Sequence, residues 1–180
     1  MKLLFLSITL LSIFSCSKQE SFQSKTFNCP INFENEKLIE HSNDIFSIKL
    51  PSLSDTLIQR GNSFEQSLPI DSAFEGMMPS IYISSKKDTN SVSNIFNKQV
   101  TALEKSKTMS IIEKGEKTVN QLEFKWFLME TNQNYKSTPL RGIVFHAKKG
   151  ENAIRFSILE VAENNSICHY LPSLFTLKIK

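Results

Sequence analysis

Glycine is scarce in this 180-residue chain, with five residues at positions 61, 76, 115, 142 and 150. No two lie close enough to build a phosphate-cradling loop, which excludes Walker and dinucleotide-binding motifs. Histidine and cysteine are scarcer still, three of each, and their scatter matches none of the usual zinc spacings. A strong charge of one sign is also missing. The formal net charge is +3 and charged residues make up 22% of the chain, so nucleic acid is not an expected partner. Gly-x-Ser-x-Gly and His-Glu-x-x-His are absent. What is present is 40% apolar residues, enough for one sizeable core, in a length that suits one domain.

Met1 and Lys2 form a short positive segment, and residues 3–14 are an apolar run broken only by Ser and Thr. At 12 residues the run is too short to cross a bilayer as a permanent helix, and its length and flank fit a secretory signal. It ends in Ile13-Phe14-Ser15-Cys16, with an aliphatic residue at −3 and a small one at −1, which resembles the bacterial lipobox. That resemblance implies cleavage after Ser15 and acylation, palmitate included, of Cys16. Each buried methylene contributes about 0.8 kcal/mol, so two or more chains anchor the protein in the membrane. Ser17 in place of Asp at +2 resembles the Gram-negative pattern sorted to the outer membrane. The alternative is an ordinary cleaved signal with a coincidental cysteine. The expected organisation is a signal peptide over 1–15, a tether over 16–36 and a single domain over 37–180. The tether is rich in Ser, Gln, Asn, Lys and Glu, although Phe27, Ile31 and Phe33 suggest that part of it docks on the domain.

Within the domain, Phe46, Ile48 and Leu50 alternate with polar neighbours, a half-buried strand ended by Pro51. Residues 56–59, 64–68 and 80–84 are further strand candidates. Val92, Ile95, Phe96, Val100 and Leu103 then form one apolar stripe at helical period, predicting a helix over 91–107 with Asn90 or Ser91 as its cap. Four strands follow, over 109–119, 122–131, 141–149 and 153–162. Leu122, Phe124, Trp126 and Leu128 share one face of the second, while Phe127 and Met129 extend its other face, so this strand is expected to be covered on both sides. A short helix over 166–175 contains Pro172.

The fold class expected is α+β, an antiparallel β-sheet flanked by helices. The motif Phe46-Ser47-Ile48-Lys49-Leu50-Pro51, the helix over 91–107, the strand pair 111–119 and 122–130, the hairpin 142–159 and the ending Leu174-Phe175-Thr176-Leu177-Lys178-Ile179 together resemble the PsbP-like fold. That group includes the extrinsic PsbP protein of photosystem II, a Ran-binding import factor and many bacterial lipoproteins. The resemblance implies an α/β/α sandwich and, since the fold hosts different jobs, no particular activity.

Candidates for chemistry are few. His146 lies opposite Phe145 and is expected at the surface, and His169 neighbours Cys168 in the terminal helix. Adjacent helical residues point about 100° apart, which argues against a thiol–imidazole pair. Of the carboxylate pairs Glu34/Glu36, Glu113/Glu116 and Glu160/Glu163, only Glu160 falls on an inward register, and it is expected to mark the strand's exit into solvent. Asp55, Asp71 and Glu75 match no calcium loop. Lys105, Lys107, Lys114, Lys117, Lys148 and Lys149, balanced by nearby Glu, form a solvated face. No catalytic residue, metal site or cofactor is expected. With Cys16 acylated, Cys29 and Cys168 remain, and an exported compartment permits a disulfide between them, the alternative being two free thiols. The expected role is a non-enzymatic protein-binding or accessory module in the cell envelope, lipid-anchored on one side or the other of the outer membrane, with an envelope protein as partner. The alternative is a small-molecule or lipid-binding lipoprotein, suggested by fourteen Phe that would line a cavity.

Overall fold

The structure, a computed structural model, describes residues 37–51, 57–67, 80–131, 139–161 and 166–180. The segments expected as signal peptide and tether, with Cys16 and Cys29, and the carboxylates Asp55, Asp71 and Glu75 lie outside the described residues. Among the described residues the order of elements is β1 (Leu38–Ser42), β2 (Phe46–Pro51), β3 (Ile58–Arg60), β4 (Ser63–Ser67), β5 (Ser80–Lys87), α1 (Val92–Glu104), β6 (Met109–Val119), β7 (Leu122–Thr131), β8 (Leu140–Lys149), β9 (Asn152–Val161), α2 (Ser166–Leu174) and β10 (Lys178–Ile179).

Seven strands form one antiparallel sheet in the order β3-β4-β5-β9-β8-β7-β6. The chain leaves β5, crosses one face of this sheet as α1, enters β6 at the far edge and returns strand by strand until β9 lies beside β5. Two-residue turns join β6 to β7 and β8 to β9. Asn120 and Gln121, at φ 49° and 64°, take the left-handed conformations that match strand twist between β6 and β7, and Gly150 at φ 58° turns β8 into β9.

The alternation read from the sequence places Ile81, Ile83, Phe124, Trp126, Ile143, Phe145, Ile154, Phe156 and Ile158 on one face, all buried. A second sheet of order β1-β2-β10 and α2 cover that face together. Phe46, Ile48 and Leu50 of β2 are fully buried there. The inner cover is therefore not helical alone, because a three-stranded sheet shares it. On the opposite face Phe96 and Val100 of α1 meet Phe127 and Val144, a smaller second core. Ser91 caps α1, its hydroxyl accepting the Asn94 N–H at 3.2 Å.

Among the described residues the phenylalanines pack into these cores. The apolar cavity between Phe124, Phe145, Leu171 and Phe175 measures about 10 Å³, at most room for one water. Glu160 corrects the expectation of an exit into solvent, since it is fully buried. Its Oε1 accepts from Arg141 Nη2 at 2.7 Å and Nε at 3.2 Å, and its Oε2 accepts the Ile167 N–H at 2.8 Å, satisfying a free donor of the first turn of α2.

Candidate functional site

The cross-strand register aligns one polar residue from each of six neighbouring strands. Glu116 of β6 faces Lys125 of β7, which faces His146 of β8, then Arg155 of β9, Ser84 of β5 and Ser63 of β4. Directly opposed residues share a sheet face, so this row runs across the outer face, the one that carries α1. Among the described residues the helix packs mainly on β6, β7 and β8. A cleft of about 280 Å³ forms at its shoulder, walled by Ile95 and Gln99 of α1, Ser84 and Lys86 of β5, His146 of β8 and Arg155 of β9.

His146 sits at the inner end of the cleft, against the rings of Phe96 at 6.3 Å and Phe127 at 6.4 Å. The outward register predicted for it is correct, but the expected exposure is not. It is 4% exposed, because α1 lies over it. Burial first, and then the charges of Arg155 and Lys86, lower its pKa from 6.5 to about 4, so the ring is neutral at pH 7. Among the described residues nothing hydrogen-bonds its Nε2 or the buried Nε of Arg155. Burial also lowers the Arg155 pKa, which nevertheless leaves a guanidinium charged at neutral pH.

Two other cations of this face have carboxylates. Lys125, 9% exposed, pairs with Glu116 across the strands and lies 3.6 Å from Glu123. Lys86 lies 2.7 Å from Asp88. Among the described residues Arg155, unlike these two, has no carboxylate, and no Asp or Glu lines the cleft. A wider depression of about 440 Å³ lies between the end of α1 and β6, where Glu104 and Lys114 pair with each other at 3.4 Å and Glu113 is the third ionic group.

The remaining candidates do not converge on the cleft. Glu113 and Glu116 both lie in β6, three residues apart and therefore on opposite faces. His41 lies on β1 with its ring 6.1 Å from Phe64, and burial lowers its pKa. Cys168 is 5% exposed in the main core and is not a free thiol. The His169 side chain lies outside the described set. Among the described residues no group of three His, Cys, Asp or Glu side chains comes together as a metal site, and no helix is long and apolar enough to cross a membrane. Sequence reasoning missed Arg155 and Lys86 as site residues. The available signal was register, since a hairpin turning at Gly150 sets Arg155 opposite His146.

No family model matches the chain, and no curated protein matches it. Solved structures do. The chain is similar to a protein from Bacteroides thetaiotaomicron at 15% identity and a TM-score of 0.49, covering 75% of this chain and 45% of that one. It is similar to a Pseudomonas aeruginosa protein of unknown function at 8% identity and 0.45, covering 69% and 83%. It is also similar to the cyanobacterial PsbP protein of Synechocystis at 7% identity and 0.48, covering 81% and 94%. The chain thus spans less than half the length of the Bacteroides protein.

Proposed function

We propose that this chain is a lipid-anchored protein of the cell envelope whose domain, PsbP-like in its order of elements, binds a ligand and performs no catalysis. The observation that carries the binding reading is the cleft beside α1, where polar groups from three strands and a helix converge around a buried, unpaired His146 nitrogen. The non-catalytic reading is supported by spacing. Ser84 and His146 stand two strands apart in one row, about 9.5 Å at sheet spacing, beyond the reach of a nucleophile and its base. A protein partner is the second reading, but Ile39, Ile58 and Ile112 are exposed on three separate strands, two of them opposite edges of the large sheet. Among the described residues they do not supply the continuous apolar face such a partner favours.

The anchor rests on Lys2, the apolar run and the lipobox-like Ile13-Phe14-Ser15-Cys16, and Ser17 favours the outer membrane. Replacing Cys16 with Ser is expected to move the protein from the membrane pellet to the soluble fraction. Unchanged pelleting and gel mobility would refute acylation. A disulfide from Cys29 to Cys168 belongs to the same proposal, supported by the buried and engaged Cys168 sulfur. Thiol titration of protein purified without reductant is expected to find no free cysteine until reductant is added. For the domain itself, melting of the purified protein against a library of small metabolites is expected to yield stabilising compounds. Turnover of a hydrolase substrate that is lost on replacing His146 would replace binding with catalysis.

A further inference from the structure

We infer that the cleft between α1 and strands β5, β8 and β9 holds the anionic oxygens of a small organic acid or phosphate, with Arg155 as the cation that grips them and His146 and Ser84 as their hydrogen-bonding neighbours. This rests on the ligand-binding reading above and specifies the ligand's chemistry.

Three observations lead to it. The first is charge. Lys86 and Lys125 already have carboxylates, whereas the half-buried Arg155 has none among the described residues and its Nε lacks an acceptor. A guanidinium N–H withdrawn from water without an acceptor is an unfavourable resting arrangement. A carboxylate or phosphate relieves it with parallel N–H···O bonds. The second is His146, more than nine-tenths buried, lining the cleft with Nε2 unpartnered. The third is size. A cleft of about 280 Å³ has room for a small acid. Ile95 of α1 and Ala153 of β9 provide an apolar wall for a short aliphatic portion.

The test is an NMR titration of the full mature chain carrying Cys16→Ser, following the Arg155 Nε–H and the His146 ring signals. The probes are butyrate, inorganic phosphate and the neutral isostere butyramide. Saturable shifts with at least one anion, a higher His146 titration midpoint in its presence, and no response to butyramide are expected. Arg155→Gln is expected to weaken the response at least tenfold. Should that variant fail to fold, the His146 midpoint of the parent chain with and without anion decides alone. Butyrate without phosphate assigns a carboxylate, and phosphate without butyrate assigns a phosphate group. An equal response to butyramide, or an anion response undiminished in Arg155→Gln, overturns the inference while leaving a ligand-binding cleft. No saturable response to either anion also overturns it, and the melting screen then judges the binding reading separately.

Discussion

His146 and Glu160 are both ionisable side chains in the interior, kept there by opposite means. Glu160 stays with two partners, Arg141 and the Ile167 N–H. His146 stays by giving up its charge, with a pKa lowered to about 4. In the unfolded chain its pKa returns to about 6.5, so the unfolded state binds the proton first as pH falls. The stability His146 contributes is complete above about pH 6.5 and drains away between there and about pH 4, some 3 kcal/mol in all at about 1.4 kcal/mol per unit. Urea unfolding at pH 7 and at pH 4 is expected to show that His146→Phe loses less stability on acidification than the parent chain. Equal losses would mean the imidazole is not excluded from solvent. For Glu160→Gln the expectation differs. An amide cannot accept from both Arg141 and the Ile167 N–H without turning its NH2 toward one of them. A loss of about 3–5 kcal/mol is expected by chemical denaturation, and the Arg141→Met, Glu160→Gln double variant is expected to recover part of it.

At the scale of elements, β6 and β7 pair so that Gly115 faces Trp126. A Cβ at Gly115 would lie 2.9 Å from the indole Cζ2, so the ring occupies the space a side chain would need. Gly115→Val is expected to displace the indole, shift Trp126 emission and cost about 1–3 kcal/mol. Trp126→Ala, which empties a site 4% exposed, is expected to cost about 3–5 kcal/mol in the same assay. Loss of only a few tenths in both would mean the register of this pair is wrong. Legibility in the sequence followed density of pattern. The α1 stripe and the strands β6 to β9 are long and repeat their period many times, and all are found within a few residues of expectation. The missed strand β1 reads Leu-Ile-Glu-His-Ser, without apolar alternation, and is only partly buried at the edge of the small sheet. The three-residue β3 is exposed throughout for the same reason, lying at a sheet edge.

Across the whole molecule, what periodicity leaves out is which strand neighbours which. The buried His146 needs α1 laid over β8, and the partnership of Arg141 with Glu160 needs β8 beside β9 in one register. Neither follows from alternation, which assigns faces but not neighbours. The candidate cleft was illegible for that reason, although alternation had implied the outward faces of Ser84, His146 and Arg155. The same topology manages the open edges. β6 is long for an edge strand, yet its outer half reads Glu113-Lys114-Gly115-Glu116-Lys117 and a register shift between Ile111 and Glu113 breaks the ladder. Charges and a bulge of this kind oppose edge-to-edge association.

The small sheet has a consequence in time. β2 is the middle strand of β1-β2-β10, so residue 46 pairs with residue 179, and Lys180 donates to the Ile45 carbonyl at 2.8 Å. In a chain synthesised or threaded across a membrane N-terminus first, β1 and β2 emerge early and wait for almost the whole domain before α2 and β10 arrive. Phe46, Ile48 and Leu50 then have no cover during that interval, and such a delay is where a holding chaperone competes with aggregation. Closing the sheet is a contact of very high sequence separation, which places it late and slow in folding. Refolding of the chain shortened to residue 177 is expected to stop at a species that binds hydrophobic dyes, whereas the full chain passes through that species and loses the dye as residues 178–180 dock.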